Sequence, residues 1–291
     1  MNYHSCHLCP RNCGVDRTAG QLGFCGQTDQ VKIARAAPHF WEEPVLCGES
    51  GSGTVFFSGC TMGCVFCQND EISHQGLGRE AADLRKVFEN LIEQGVSNIN
   101  LVTATQFLPS ILPALTPKLP VPVVYNCGGY ESVETLKQLE GLVDIYLPDM
   151  KYSSNALAKK LSHAPDYVET ASAAILEMYR QVGKVQMENG ILKKGMILRH
   201  LILPNEIDNA LGVLDWVDEH FQPGEILFSL MSQYVPMGRA KTMEGLNRPI
   251  TEMEYDAVLS YMELLGIEDG FTQEFSSAVE EYIPDWDFSG L

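Results

Sequence analysis

Three cysteines within one short stretch constrain this chain more than any other feature. The segment Phe56-Phe57-Ser58-Gly59-Cys60-Thr61-Met62-Gly63-Cys64-Val65-Phe66-Cys67 begins inside an apolar or β-branched run, Thr54 to Phe57. Such a run, ended by a Ser-Gly break, predicts a buried strand whose exit loop carries the cysteines. The spacing Cys-x3-Cys-x2-Cys lets three sulfurs face one soft metal centre and does not suit a disulfide. A four-iron cluster normally takes four thiolates, so one metal position would stay open to a ligand from outside the protein. An open position marks a catalytic metal site by the logic established for zinc. A structural zinc loop, which closes with four ligands, is the competing reading.

At 291 residues the chain is long enough for a full core, and one α/β barrel of about 200 to 250 residues would fit with appendages. Its apolar content of 45% is that of a globular protein. No apolar run approaches the roughly 20 residues of a membrane span, and Met1-Asn2-Tyr3-His4-Ser5-Cys6 lacks the basic start and apolar core of a secretory signal. A cytoplasmic, reducing compartment is the expectation, with no membrane partner. The cysteines agree, because seven of the nine are grouped like ligands rather than spread like a disulfide frame, leaving Cys47 and Cys127 apart. With 38 acids against 20 bases the net charge is -18, which opposes nucleic-acid binding through phosphate neutralisation and is most simply a solvated surface.

Cys6-x2-Cys9-x3-Cys13-x11-Cys25 opens the chain among glycines and a proline, a loop-rich knuckle with little core of its own. Metal could supply the missing folding energy, and four thiolates suit zinc or a second iron–sulfur cluster alike. Reduced thiols packed in a loop are the alternative. Further along, strand and helix patterns alternate six times. The strands run from Thr54 to Phe57, Asn98 to Val102, Val121 to Tyr125, Leu142 to Leu147, over residues 195–205, and from Glu225 to Met231. Such alternation predicts a parallel sheet with ligand sites at the C-terminal ends of its strands. The expected architecture is a partial (β/α)6 barrel of the TIM type over residues 51–270, preceded by a cysteine-rich extension over 1–50 and followed by an acidic, aromatic strap over 271–291 that lies on the outside of the barrel.

The motif Cys60-x3-Cys64-x-Phe66-Cys67 resembles the signature of the radical S-adenosylmethionine (radical SAM) superfamily. The opening Cys-x-Leu-Cys-Pro-Arg-x-Cys-Gly is similar to the branch named for pyruvate formate-lyase activating enzyme. The resemblance implies a [4Fe-4S] cluster on Cys60, Cys64 and Cys67, with S-adenosylmethionine (SAM) on the open iron and Phe66 beside them. It also implies reduction by an external donor such as flavodoxin or ferredoxin, under anaerobic conditions. Where the superfamily often reads Gly-Gly-Glu after the second strand, this chain has Thr103-Ala104-Thr105-Gln106, so Thr103, Thr105 and Gln106 inherit a place near the SAM amino group. Asn126 occupies the corresponding place after the third strand, before Gly128 and Gly129, which allow close backbone approach. Asp149 and Lys151 match the branch's Asp-x-Lys. A zwitterionic amino acid needs one anion and one cation, and residues i and i+2 of an extended segment share a face. Arg199, inside an apolar run, needs a carboxylate partner, either that of SAM or an acidic side chain. His200 points to the opposite side as a core histidine, and Gln233 stands where activating enzymes place a polar group against the adenosine.

These features imply an enzyme that abstracts hydrogen from a substrate, the glycine of a glycyl-radical enzyme being the first candidate. The same chemistry on another protein, an RNA or a small molecule is the sibling reading. A scaffold that binds metal or clusters without turnover is the reading from another class. The loops over the barrel mouth carry no substrate motif.

Overall fold

The computed structural model describes residues 1–275 and 284–291. Their strands are β1 (Lys32–His39), β2 (Ser52–Phe57), β3 (Arg79–Glu80), β4 (Ile99–Val102), β5 (Val123–Cys127), β6 (Ile145–Pro148), β7 (Gln186–Glu188), β8 (Ile191–Leu201), β9 (Leu227–Met231) and β10 (Gly270–Thr272). They lie in the order β10-β9-β8-β6-β5-β4-β2-β1-β3, with β7 beside β8. From β2 through β4, β5, β6 and β8 to β9 every pairing is parallel. These six strands are the six read from the sequence, and helices connect most of them, as a parallel sheet requires. The path ends at β3 on one side and β10 on the other, so the barrel is partial.

Alternation along each strand sorts the core into two layers. Val55, Phe57, Ile99, Leu101, Val123 and Tyr125 belong to the large outer layer beneath the helices. Val124, Ile145, Leu147 and Ile197 turn inward and, with Leu46, fill the interior. Two residues further along the same strands, Asn126, Asp149 and Arg199 must point inward above that apolar floor.

The helices show where local chemistry outweighed simple periodicity. Leu84–Glu93 is capped by the Asp83 carboxylate on the Lys86 N–H at 3.0 Å and buries Leu84, Val87, Phe88 and Leu91. In Leu108–Ala114, Pro109 sits in the first turn, where its missing N–H leaves no bond unmade. Two helices follow β6, Asn155–Ser162 and Tyr167–Val182, separated at His163, whose φ of 54° breaks the helical path. Asn189 and Gly190 both take positive φ and close a β7–β8 hairpin, as an Asn-Gly pair favours, so β8 starts four residues before the expected strand.

Two segments expected outside the barrel lie against its sheet. β1 pairs antiparallel with β2 from Ile33 opposite Phe57 to His39 opposite Ser52, so the later part of the extension belongs to the barrel sheet. The C-terminal tail lies along β1: the Ala36 N–H donates to the Ser289 carbonyl at 2.8 Å, and the Phe288 N–H to the Ala34 carbonyl at 3.1 Å. Trp286 packs edge-on against Phe56 at 5.2 Å, on the inner layer with Ala34, Ile72 and Val102. The strap therefore covers the inner side of the sheet edge instead of the helical outside. Tyr282, part of its aromatic pattern, lies outside the described residues. Among the described residues no helix is long and apolar enough to cross a membrane.

Candidate active site

The C-terminal ends of the parallel strands surround a cavity of about 230 Å³. Cys60, Cys64 and Cys67, on the loop leaving β2, line it together with Phe66, Thr103, Asn126, Asp149, Lys151, Arg199 and Gln233. The cysteine loop is pinned from four directions. The Val65 N–H donates to Leu161 O at 2.8 Å and the Ala240 N–H to Val65 O at 2.9 Å. Arg239 Nη2 reaches Gly63 O at 2.9 Å, and Arg11 Nε reaches Thr61 O at 2.8 Å.

Burial and the neighbouring thiolates push Cys60 far above the ordinary thiol range, and the same causes raise Cys67 to about 11. Bare protein thus disfavours these thiolates, and a bound cationic metal centre is what would favour them. Two of the sulfurs accept hydrogen bonds, Cys60 from the Met62 N–H at 3.3 Å and Cys64 from the Ser162 hydroxyl at 3.0 Å, while the Cys67 thiol donates to Ser73 Oγ at 3.6 Å. Among the described residues no group of three or more His, Cys, Asp or Glu is gathered to hold a single metal ion. A cubic cluster makes a different demand, because each thiolate binds its own iron. Three loop-borne sulfurs lining one cavity, Cys64 buried and Cys60 and Cys67 half-buried, fit that group.

Opposite the sulfurs lies an ionic network. Arg199 Nε donates to Asp149 Oδ1 at 2.8 Å and Nη2 to Asn126 Oδ1 at 2.7 Å, while Nη1 lies 3.7 Å from Glu42 Oε2. Lys151 Nζ donates to Asp149 Oδ2 at 2.5 Å. Burial would raise Asp149, but the Arg199 and Lys151 cations hold it below the usual carboxylate range. Burial also raises Glu42 and Glu43 despite the nearby Arg199. The predicted carboxylate partner of Arg199 is thus supplied from within the protein. The turn is fixed by Tyr167, whose hydroxyl accepts the Lys151 N–H at 2.8 Å and faces the carbonyls of Gly128 and Asp149 at 3.0 and 2.9 Å. Gly129 has φ 79°, and a Cβ there would overlap the Asp149 carbonyl oxygen; its freedom serves a backbone contact within the protein.

Two predicted site residues point elsewhere. Gln106 Nε2 donates to the carbonyls of Ser58, Gly59 and Thr103 at 2.9, 3.0 and 2.7 Å, which makes it a brace for the cysteine loop. Thr105 hydrogen-bonds Tyr125 and Glu131 in the outer layer, each at 2.8 Å. Thr103 alone of the three lines the cavity. His200 is buried, with Nδ1 2.7 Å from Met150 O; burial lowers it to about 4 and keeps it neutral. Cys127 is a buried thiol on the cavity wall.

Sequence reasoning missed the arginines of the opening segment. Arg17 is wholly buried, donating to the carbonyls of Gln27 at 3.0 Å, Gln106 at 2.6 Å and Thr28. Arg11 also grips Ser162 O at 3.0 Å and lies over the Phe24 ring at 3.8 Å. The available signal was Arg11 between Cys9 and Cys13 and Arg17 between Cys13 and Cys25. Cys6 is buried and Cys9, Cys13 and Cys25 half-buried. Burial raises Cys9, to about 12, and Cys25, and neighbouring sulfurs of the same group add to both shifts.

No family model matches the chain. It is 28% identical over 281 residues to an uncharacterized protein, MJ0674, of Methanocaldococcus jannaschii, covering 91% of this chain and 76% of that one. Among solved structures, SuiB of Streptococcus suis bound to the precursor peptide SuiA superposes with a TM-score of 0.50 at 13% identity over 74% of this chain. SuiB alone gives 0.50 and 13% over 76%. The fold these structures share with the chain is a partial (β/α)6 barrel of the TIM type. This chain spans 46% to 49% of the length of SuiB.

Proposed function

We propose that this chain is a radical SAM enzyme whose cluster is held by Cys60, Cys64 and Cys67. One observation carries the reading: the cysteine loop and the paired charges of Asp149, Lys151 and Arg199 line a single cavity at the strand ends. When bound there, a [4Fe-4S] cluster with an open iron would supply the electron that cleaves SAM to methionine and a 5'-deoxyadenosyl radical. The chain's own groups provide the rest. Asp149 can take the ammonium of the SAM amino acid end, and Lys151 and Arg199 its carboxylate, as charge-assisted bonds. Gln233, at the end of β9, offers an amide toward the nucleoside. Val102 and Leu201 on the wall exclude water from a reactive radical.

The finer assignment is hydrogen abstraction from the glycine of a glycyl-radical enzyme, with a flavodoxin or ferredoxin as external donor in an anaerobic cytoplasm. The resemblance of the opening cysteines and of Asp149-x-Lys151 supports it. The test is anaerobic reconstitution with iron and sulfide, followed by a reductant and SAM. Release of 5'-deoxyadenosine is expected, and loss of that release in Cys60→Ala, Cys64→Ala and Cys67→Ala. A colourless protein carrying stoichiometric zinc, or release unchanged in the variants, would overturn the reading.

A further inference from the structure

The three site sulfurs are not equally served. Cys60 has a backbone N–H at 3.3 Å and Cys67 donates its own S–H to Ser73 Oγ at 3.6 Å, both longer than the 3.0 Å at which the Ser162 hydroxyl donates to Cys64. Behind Ser162 stands Tyr152, with its hydroxyl 2.5 Å from Ser162 Oγ. Both side chains are wholly buried. Ser162 is the last residue of the helix Asn155–Ser162, its carbonyl is held by Arg11 at 3.0 Å, and Tyr152 follows Lys151 on the turn leaving β6. The proton directions are forced once Cys64 binds iron, because a metal-bound thiolate has no proton to give. Ser162 must then donate to sulfur, and Tyr152 must donate to Ser162. Donors in series polarise one another, and burial strengthens each bond.

We propose that Tyr152 and Ser162 form a hydroxyl relay that donates to the Cys64 thiolate and sets the reduction potential of the cluster. The inference rests on the cluster assignment made above. A hydrogen bond to a ligating sulfur withdraws electron density and favours the more negative, reduced cluster, one of the levers by which a protein tunes such a centre. Ser162 and Tyr152 are positioning residues here, since they act through Cys64 and touch no substrate. The relay would ease the first event of the reaction, one-electron reduction by an external donor.

The test is a dye-mediated potentiometric titration, followed by electron paramagnetic resonance, of reconstituted wild type, Ser162→Ala and Tyr152→Phe. Iron and sulfide content and near-ultraviolet circular dichroism are measured alongside. With iron content unchanged, the midpoint should move to more negative potential in Ser162→Ala and by a smaller amount in Tyr152→Phe, which keeps the ring and loses only the hydroxyl. Wild-type potentials in both variants at full iron content, or a shift to more positive potential, would overturn the relay. Should Ser162→Ala not fold, Tyr152→Phe decides alone. Failure of the wild type to assemble any cluster would instead overturn the cluster assignment.

Discussion

Glu131 is a carboxyl group at 2% exposure, accepting the Thr105 hydroxyl at 2.8 Å and the Tyr125 hydroxyl at 3.4 Å. Burial pushes it from an ordinary 4.5 up to about 8, although its donors pull the other way. The folded protein therefore keeps a proton that the unfolded chain releases above about pH 4.5, and stability falls as pH rises through that window. Urea unfolding between pH 5 and 8 should show a decline, its slope bounded by about 1.4 kcal/mol per pH unit, that Glu131→Gln flattens; an equal slope in both proteins would refute the assignment. The neighbouring residues show what a sequence conceals at this scale. Thr105 and Gln106 sit in the right loop for a ligand, yet Gln106 spends its amide on three backbone carbonyls of the cysteine loop. Motif position names the loop. Which way a side chain turns within it depends on orphan carbonyls that only the tertiary structure brings near.

At the scale of elements, the strands were legible because period-2 alternation and turn residues are local properties, and all six parallel strands overlap the runs those signals marked, β8 starting four residues early. Helix ends were less so. The break at His163 comes from one left-handed residue between two helix-favouring segments, which apolar periodicity does not register. The turn from β5 shows the cost of such local geometry. Gly129, at φ 79°, lets the Asp149 carbonyl approach, so Gly129→Ala should cost about 1–3 kcal/mol of strain and shift the Asp149–Lys151 pair. Lower denaturation midpoint together with weaker SAM retention in equilibrium dialysis is the expected outcome; wild-type values for both would show that the turn tolerates a side chain.

For the molecule as a whole, the opening segment looked like a separate appendage because its cysteines are local and its contacts are not. Arg11 reaches Thr61 between Cys60 and Cys64 as well as the helix end at Ser162, contacts that span the chain and leave no periodic trace. Arg11→Met should therefore lower the iron retained at the distant cysteine loop after gel filtration, while far-ultraviolet circular dichroism stays unchanged. Full retention would mean that the two parts are mechanically independent. The inward ionic network has a different reach. Arg199 already answers to Asp149, Asn126 and Glu42 before any visitor arrives. A zwitterion entering this chamber must swap partners within a closed circuit instead of being drawn from afar, and dissolved ions have little hold over charges that the polypeptide itself keeps in balance.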